Sequence, residues 1–209
     1  VLLATLPDPP EIAGAIVVAV GDGAAPCLTL HATTGAPGLA ELVGADPAEL
    51  RIVTSLAEVA RLEVIETAGL GALLAAALRD AADDCLAAGA TPVEVDEALT
   101  DVGFSIGPFE LEDLAGLGRG HAARLARGGF YRGLAEHAAA EGRLGKSAGV
   151  GWYRYPGGGG AVEDPLVEDL IRVEARLAGL SPVELDAADI VARVTGALSQ
   201  ASALAVAEG

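Results

Sequence analysis

In the first third of the chain, short β-branched runs alternate with glycine-rich or polar breaks. Residues 15–20 (AIVVAV) stop at Gly-Asp-Gly, and residues 26–33 (PCLTLHAT) stop at Thr-Gly. Residues 50–55 (LRIVTS) and 61–67 (RLEVIET) follow. Runs of this length and composition predict strands, and the Ala/Leu-rich segments between them predict a small α/β unit. After Gly69 the period changes. From Leu74 the apolar positions Leu78, Ala81, Ala82, Cys85 and Leu86 recur at helical spacing, with Arg79, Asp80, Asp83 and Asp84 opposite.

Punctuation then marks out the helices. Gly89 supplies a C-cap, and Thr91-Pro92-Val93-Glu94 writes a capping box with proline at the first helical position. Ser181-Pro182-Val183-Glu184 repeats the device. Pro108 opens another helix, with Glu110, Glu112 and Asp113 in its first turns, where the helix dipole favours acids. Residues 156–160 (PGGGG) form a flexible turn, without the Lys-Ser/Thr that a phosphate-binding loop requires. A last helix is predicted over 187–207. Its end can be laid on residues 77–89 with a shift of 120, matching at Ala77/Ala197, Leu78/Leu198, Ala81/Ala201, Ala87/Ala207 and Gly89/Gly209.

Composition narrows the picture. Hydrophobic residues make up 52% of the 209 and aromatics only 3%, so the core must be built from Ala, Val and Leu. No run reaches 18 uninterrupted apolar residues and no leader with a cleavage site is visible, so a cytoplasmic chain with no membrane partner is expected. Cys27 and Cys85 have neither metal nor disulfide spacing. His121 and His137 lie in Ala/Arg-rich helical sequence without ligand spacing, so no metal site is expected. The net charge of -17 argues against nucleic acid. Yet Arg119, Arg124, Arg127, Arg132, Arg143, Lys146 and Arg154 stand against only Glu136 and Glu141 in one stretch. Such an island either receives a small phosphorylated ligand or pairs with carboxylates elsewhere in the chain.

Two phrases stand out: GFSIGPFELEDLAGL (103–117) and GRLGKSAGVGWYRY (142–155). Together they resemble the C-terminal helical domain of the 3-hydroxyacyl-CoA dehydrogenase family, over roughly residues 68–209. The resemblance implies a mainly α fold with an N-terminal α/β part. Residues 1–68 would form an incomplete Rossmann-like sheet, and residues 69–209 a helical domain like the 6-phosphogluconate dehydrogenase C-terminal domain. A second copy of that domain would begin at 187–209. The family's helical domain forms a homodimer interface, here expected from the helices of residues 74–117, and one wall of an acyl-CoA site. Arg143 and Lys146 become the candidate substrate-binding residues.

The family's catalytic phrases fit less well. NAD is implied, but no G-x-G-x-x-G joins a strand to a helix in this chain. In the slot for the family's histidine base the chain reads LHATTGAPGLAELV. That makes His31 the candidate base and Glu41, ten residues on, the candidate orienting carboxylate. Leu73 stands where the family has a substrate-holding Asn, and Ser147 occupies the slot of its Lys, displaced here to Lys146. The expected role is therefore dimerisation and acyl-CoA binding without catalysis by this segment. The alternative is a divergent NAD-dependent oxidoreductase of 3-hydroxyacyl-CoA, in fatty-acid or aromatic-acid degradation, using His31 and Glu41.

Overall fold

The structure, a computed structural model, describes residues 2–4, 17–20, 28–32, 39–43, much of 51–66, 70–117 and 129–208. The chain divides into two compact units, residues 1–76 with 201–209, and residues 77–200.

The first unit holds a five-stranded mixed sheet. Its strands are β1 (Leu2–Ala4), β2 (Val17–Val20), β3 (Leu28–Ala32), β4 (Leu39–Val43) and β5 (Glu63–Glu66). They lie side by side in chain order, with every neighbouring pair parallel except β3 and β4. Three of the four expected strands occur. The fourth, over 50–55, is helical instead: Arg51, Val53, Thr54 and Ser55 are all in helix, as are Ala57 and Glu58. Val53 and Ala57 are four residues apart and both buried, so burial of one helical face overrides the β-branched propensity of Ile52, Val53 and Thr54. Strand β4 replaces it in the sheet. Its sequence, LAELV, carries helix-forming residues and becomes a strand through ladders on both edges.

The second unit is helical, giving the chain the mainly α character expected. Its elements are α1 (Leu70–Ala88), whose first residues lie in the other unit, α2 (Pro92–Asp101), α3 (Pro108–Ala115), α4 (Gly129–Ala140), α5 (Pro165–Leu177) and α6 (Ala187–Glu208). One core gathers Ala82, Cys85, Leu86, Val95, Leu99, Phe109, Leu134, Trp152, Ile171, Ile190 and Val194. The apolar faces of residues 74–117, expected to form a dimer surface, are mostly consumed in this core, because Ala81, Ala82, Cys85, Leu86, Val95, Leu99 and Phe109 are all buried.

The capping box at Thr91 is present in both arms: Glu94 N–H donates to Thr91 Oγ1 at 3.2 Å, and Thr91 N–H donates to Glu94 Oε2 at 2.8 Å. Its counterpart at Ser181 starts no helix. Residues 181–186 are non-helical, and α6 is capped five residues later by Asp186, whose Oδ1 accepts from Asp189 N–H at 2.8 Å. Ser181-Pro182-Val183-Glu184 closes the end of α1 instead. Val183 N–H donates to Ala88 O at 2.7 Å, satisfying a terminal carbonyl. Gly89 (φ +116°) is fixed by the same crossing, since a Cβ there would stand 2.9 Å from Pro182 Cβ.

By length and composition, residues 187–207 of α6 could cross a membrane, with only 17% of the most apolar window buried. However, Ile190 and Val194 are buried and Ala197 and Leu198 pack on the same core, the 3.6-residue stripe of a helix laid on a folded domain.

Candidate functional site

Two places concern the candidate chemistry, one in each unit. In the sheet, the antiparallel register of β3 and β4 sets His31 opposite Glu41, between the pairs Leu30/Leu42 and Ala32/Ala40. The two candidate residues are thus direct cross-strand neighbours despite their separation of ten positions.

In the helical unit, the two signature phrases meet around a pair of buried carboxylates, Asp96 on α2 and Asp113 on α3. Gly107, at the N-terminus of α3, has no side chain to cap it. The cap comes from Asp96, whose Oδ1 accepts from Phe109 N–H at 3.0 Å and whose Oδ2 accepts from Glu110 N–H at 2.9 Å. Tyr153 O–H donates to the same Oδ2 at 2.8 Å. The fit demands glycine at 107: a Cβ there would lie 2.1 Å from Asp96 Cγ. Burial pushes the Asp96 carboxyl up to about 6, against the three hydrogen bonds that favour its charge.

Asp113 performs the same service for the second phrase. Its Oδ1 accepts from Trp152 N–H at 2.9 Å, and its Oδ2 accepts from Tyr153 N–H and Tyr155 O–H, both at 2.9 Å. Burial raises the Asp113 carboxyl as well, opposed by these donors. Gly151 and Gly145 leave the room, since a Cβ at Gly151 would meet Asp113 Oδ1 at 1.9 Å and one at Gly145 would meet Asp113 O at 2.5 Å. Burial and the facing carboxylates raise both tyrosine hydroxyls, so both stay protonated as donors. Phe109 packs edge-on to Trp152 at 5.0 Å, and Trp152 Nε1–H donates to Glu112 Oε2 at 2.8 Å. The phrases therefore form an internal lock, with every oxygen of the two aspartates occupied by a fixed donor.

Arg143 belongs to this interior. It is 4% exposed, with Nε donating to Glu141 Oε2 at 2.9 Å, Nη1 to Gly151 O at 3.0 Å and Nη2 to Asp164 Oδ2 at 2.8 Å. The structure thus places this substrate-binding candidate in the interior, held in ion pairs with Glu141 and Asp164. Arg154 likewise donates to Glu163 O at 3.1 Å and lies 3.8 Å from Asp164 Oδ1. Lys146 differs. It is half-buried at a short 3₁₀ turn, with Nζ 5.3 Å from the centre of the Tyr155 ring and no carboxylate partner among the described residues. Ser147 beside it is exposed, and Leu73 is 40% exposed.

His137 contacts Glu174 across α4 and α5, Nδ1 to Oε1 at 2.6 Å. Glu174 is buried so tightly on Gly133 that a Cβ there would stand 1.7 Å from Oε2. His121 and the basic residues Arg119, Arg124 and Arg127 lie outside the described residues. Among the described residues, no group of three His, Cys, Asp or Glu side chains could hold a metal ion.

The sequence has no G-x-G-x-x-G loop, and the described strands run in unbroken chain order, so the described residues show no nucleotide crevice of the doubly wound kind.

Asp96 and Asp113 escape a sequence reading because acids near a helix start suggest dipole pairing. The available signal was their phase. Asp96 shares the stripe of Pro92, Val95 and Leu99, and Asp113 falls four residues after Phe109, so each is a charge on an apolar face.

Known proteins match the segment that carries both phrases. Residues 70–155 match the family model for the 3-hydroxyacyl-CoA dehydrogenase C-terminal domain. The chain is 32% identical over 130 residues to the peroxisomal bifunctional enzyme of Danio rerio, covering 53% of this chain and 18% of that protein. It is 34% identical over 107 residues to the peroxisomal fatty acid beta-oxidation multifunctional protein of Oryza sativa subsp. japonica, covering 46% and 15%. The chain thus spans less than a fifth of the length of these relatives. In fold it resembles the dehydrogenase part of multifunctional enzyme 1 from C. elegans, with a TM-score of 0.62 at 14% identity over 88% of this chain and 47% of that one. Residues 70–155 thus correspond to a 3-hydroxyacyl-CoA dehydrogenase C-terminal domain.

Proposed function

We propose that this chain is a structural and acyl-CoA-binding region of a 3-hydroxyacyl-CoA dehydrogenase acting in fatty-acid β-oxidation, self-associating and not catalytic by itself. One observation carries the reading: the two signature phrases spend their polar groups on an internal lock around Asp96 and Asp113, and Lys146 is the cation of the later phrase with no carboxylate partner among the described residues. A lock of this kind positions surfaces and does not transfer protons. Lys146 can meet a CoA phosphate as a point charge, whereas Arg143 is committed to Asp164 and Glu141.

Calorimetric titration with acetoacetyl-CoA tests this. Binding should be weakened about three- to tenfold in Lys146→Ala, the loss of one phosphate contact. No heat from the unmodified chain defeats the acyl-CoA reading.

A second reading rests on the β3/β4 register that sets His31 against Glu41. In it, His31 takes the hydroxyl proton of a 3-hydroxyacyl-CoA while Glu41 orients the ring, and residues outside this chain supply the nucleotide site. Turnover by the full-length protein should then fall at least about a hundredfold in His31→Ala. Unchanged turnover ends this second reading and leaves the first intact.

A further inference from the structure

The outer face of α5 carries an apolar stripe that the chain's own fold leaves uncovered. Leu166 is 62% exposed, Val173 51% and Leu177 73%, while Leu170 between them is partly buried. The buried face of the same helix is made by Val167, Ile171, Glu174 and Ala175. The exposed stripe is a second apolar edge beside it, spaced four, three and four residues apart. That spacing reads the same in both directions, so two such helices laid antiparallel match at every position. Leu166 meets the partner's Leu177, and Leu170 meets the partner's Val173.

Charge selects the direction. Asp169 and Arg176 are seven residues apart, on the flank of the stripe away from the chain's own core. In an antiparallel pair that flank faces its own copy reversed, so Asp169 stands against the partner's Arg176 on both ends of the contact. A parallel pair offers Asp169 nothing, because the residues that would answer it, Val167 and Glu174, are buried inward. Among the described residues Asp169 pairs with Arg172 of its own helix, and both are largely exposed.

We propose that α5 pairs antiparallel with α5 of a second copy of this chain about a twofold axis, through Leu166, Leu170, Val173 and Leu177, with Asp169 against the partner's Arg176. This rests on the self-association in the proposed function and assigns it to a surface outside residues 70–155. The contact spans about three turns, which puts it at the small end of interface sizes and makes the association reversible.

Sedimentation velocity near 0.15 M salt, where long-range repulsion between two acidic chains is screened beyond about 8 Å, reads the mass. The unmodified chain should approach twice its 20.8 kDa as concentration rises. Val173→Glu should raise the dissociation constant at least about tenfold, and Asp169→Arg about three- to tenfold. Asp169→Arg with Arg176→Asp should return it to within about twofold of the original. Direction is read by cross-linking. A mixture of Leu166→Cys and Leu177→Cys chains should form the mixed disulfide, and Leu166→Cys alone should form no more than the unmodified chain. A chain that stays monomeric overturns both self-association and this contact. A dimer indifferent to Val173→Glu, or a disulfide between two Leu166→Cys chains, overturns the α5 pairing alone.

Discussion

Replacing Asp113 by Ala removes the acceptor for three buried donors at once, the Trp152 and Tyr153 amides and the Tyr155 hydroxyl. Each buried donor left unsatisfied costs about 1–3 kcal/mol. The three share one cavity into which water can enter, so the total should be below their sum, at roughly 3–6 kcal/mol. Domains of this kind are stable by about 5–15 kcal/mol, so Asp113→Ala should leave the helical unit at the edge of unfolding. Asp113→Asn keeps the shape and one acceptor oxygen but turns an NH₂ group toward donors, at a cost of about 1–3 kcal/mol. Tyr155→Phe removes only the hydroxyl and should cost about 0.5–1.5 kcal/mol. Because Asn disrupts the site that the hydroxyl uses, Asp113→Asn and Tyr155→Phe should couple by at least about 0.5 kcal/mol. The chain's one tryptophan, Trp152, sits in the lock, so its fluorescence during urea unfolding reports the helical unit without the sheet. A loss below about 1 kcal/mol in Asp113→Ala would falsify the view that the lock holds this unit together.

Gly107→Ala should be nearly as damaging for a steric reason: the backbone there (φ -72°, ψ 153°) suits any residue, but the added Cβ would lie 2.1 Å from Asp96 Cγ. Pushing Asp96 away from the start of α3 should cost about 2–4 kcal/mol, and a cost no greater than for an exposed loop glycine would count against the contact. The Asp96 carboxyl also sets a pH dependence. Its folded value near 6 lies above its ordinary 3.8, so the native state holds the extra proton between those values, and Asp96 contributes stability that is lost as pH rises through that window. Between about pH 7 and pH 4, unmodified protein should therefore gain up to about 3 kcal/mol relative to Asp96→Asn, and a difference that is flat or of opposite sign refutes the assignment. Removing His137 strips buried Glu174 of its contact across α4 and α5. His137→Ala should cost about 1–2 kcal/mol, less than a fully buried pair because the imidazole is half exposed. Adding Glu174→Gln should recover part of that loss, and full additivity in urea unfolding would dissociate the two residues.

Legibility in the sequence followed the range of the forces involved. The Thr91 capping box, the start of α3 at Pro108 and the span of α6 were readable because the decisive atoms lie within a few residues of one another. Helix α3 was readable as a helix but not in its cap, since its first amides are answered by Asp96, 13 and 14 residues earlier. Ser181 shows the converse: a complete local signal for a helix start is overruled because Val183 is needed at the end of α1, and Asp186 supplies the start instead.

The same distinction governs the candidate site. Residue type pointed to Arg143 and Lys146 equally, and only packing separates them: Asp164, 21 residues away, takes one and an aromatic face receives the other. For His31 and Glu41 the sequence offered residue types at a shortened spacing. The antiparallel ladder turns that spacing into direct opposition, because each residue removed from a β3–β4 connection shortens the loop without unpairing strands whose register is set elsewhere along the ladder. Loop length in a hairpin is thus a poor measure of whether a cross-strand pair survives, and the pair's position in the ladder is the better one. The register sets His31 opposite Glu41, whereas Leu73 and Ser147 depart from the family's pattern. A turnover measurement on His31→Ala in the full-length protein is what separates a preserved scaffold from a preserved reaction.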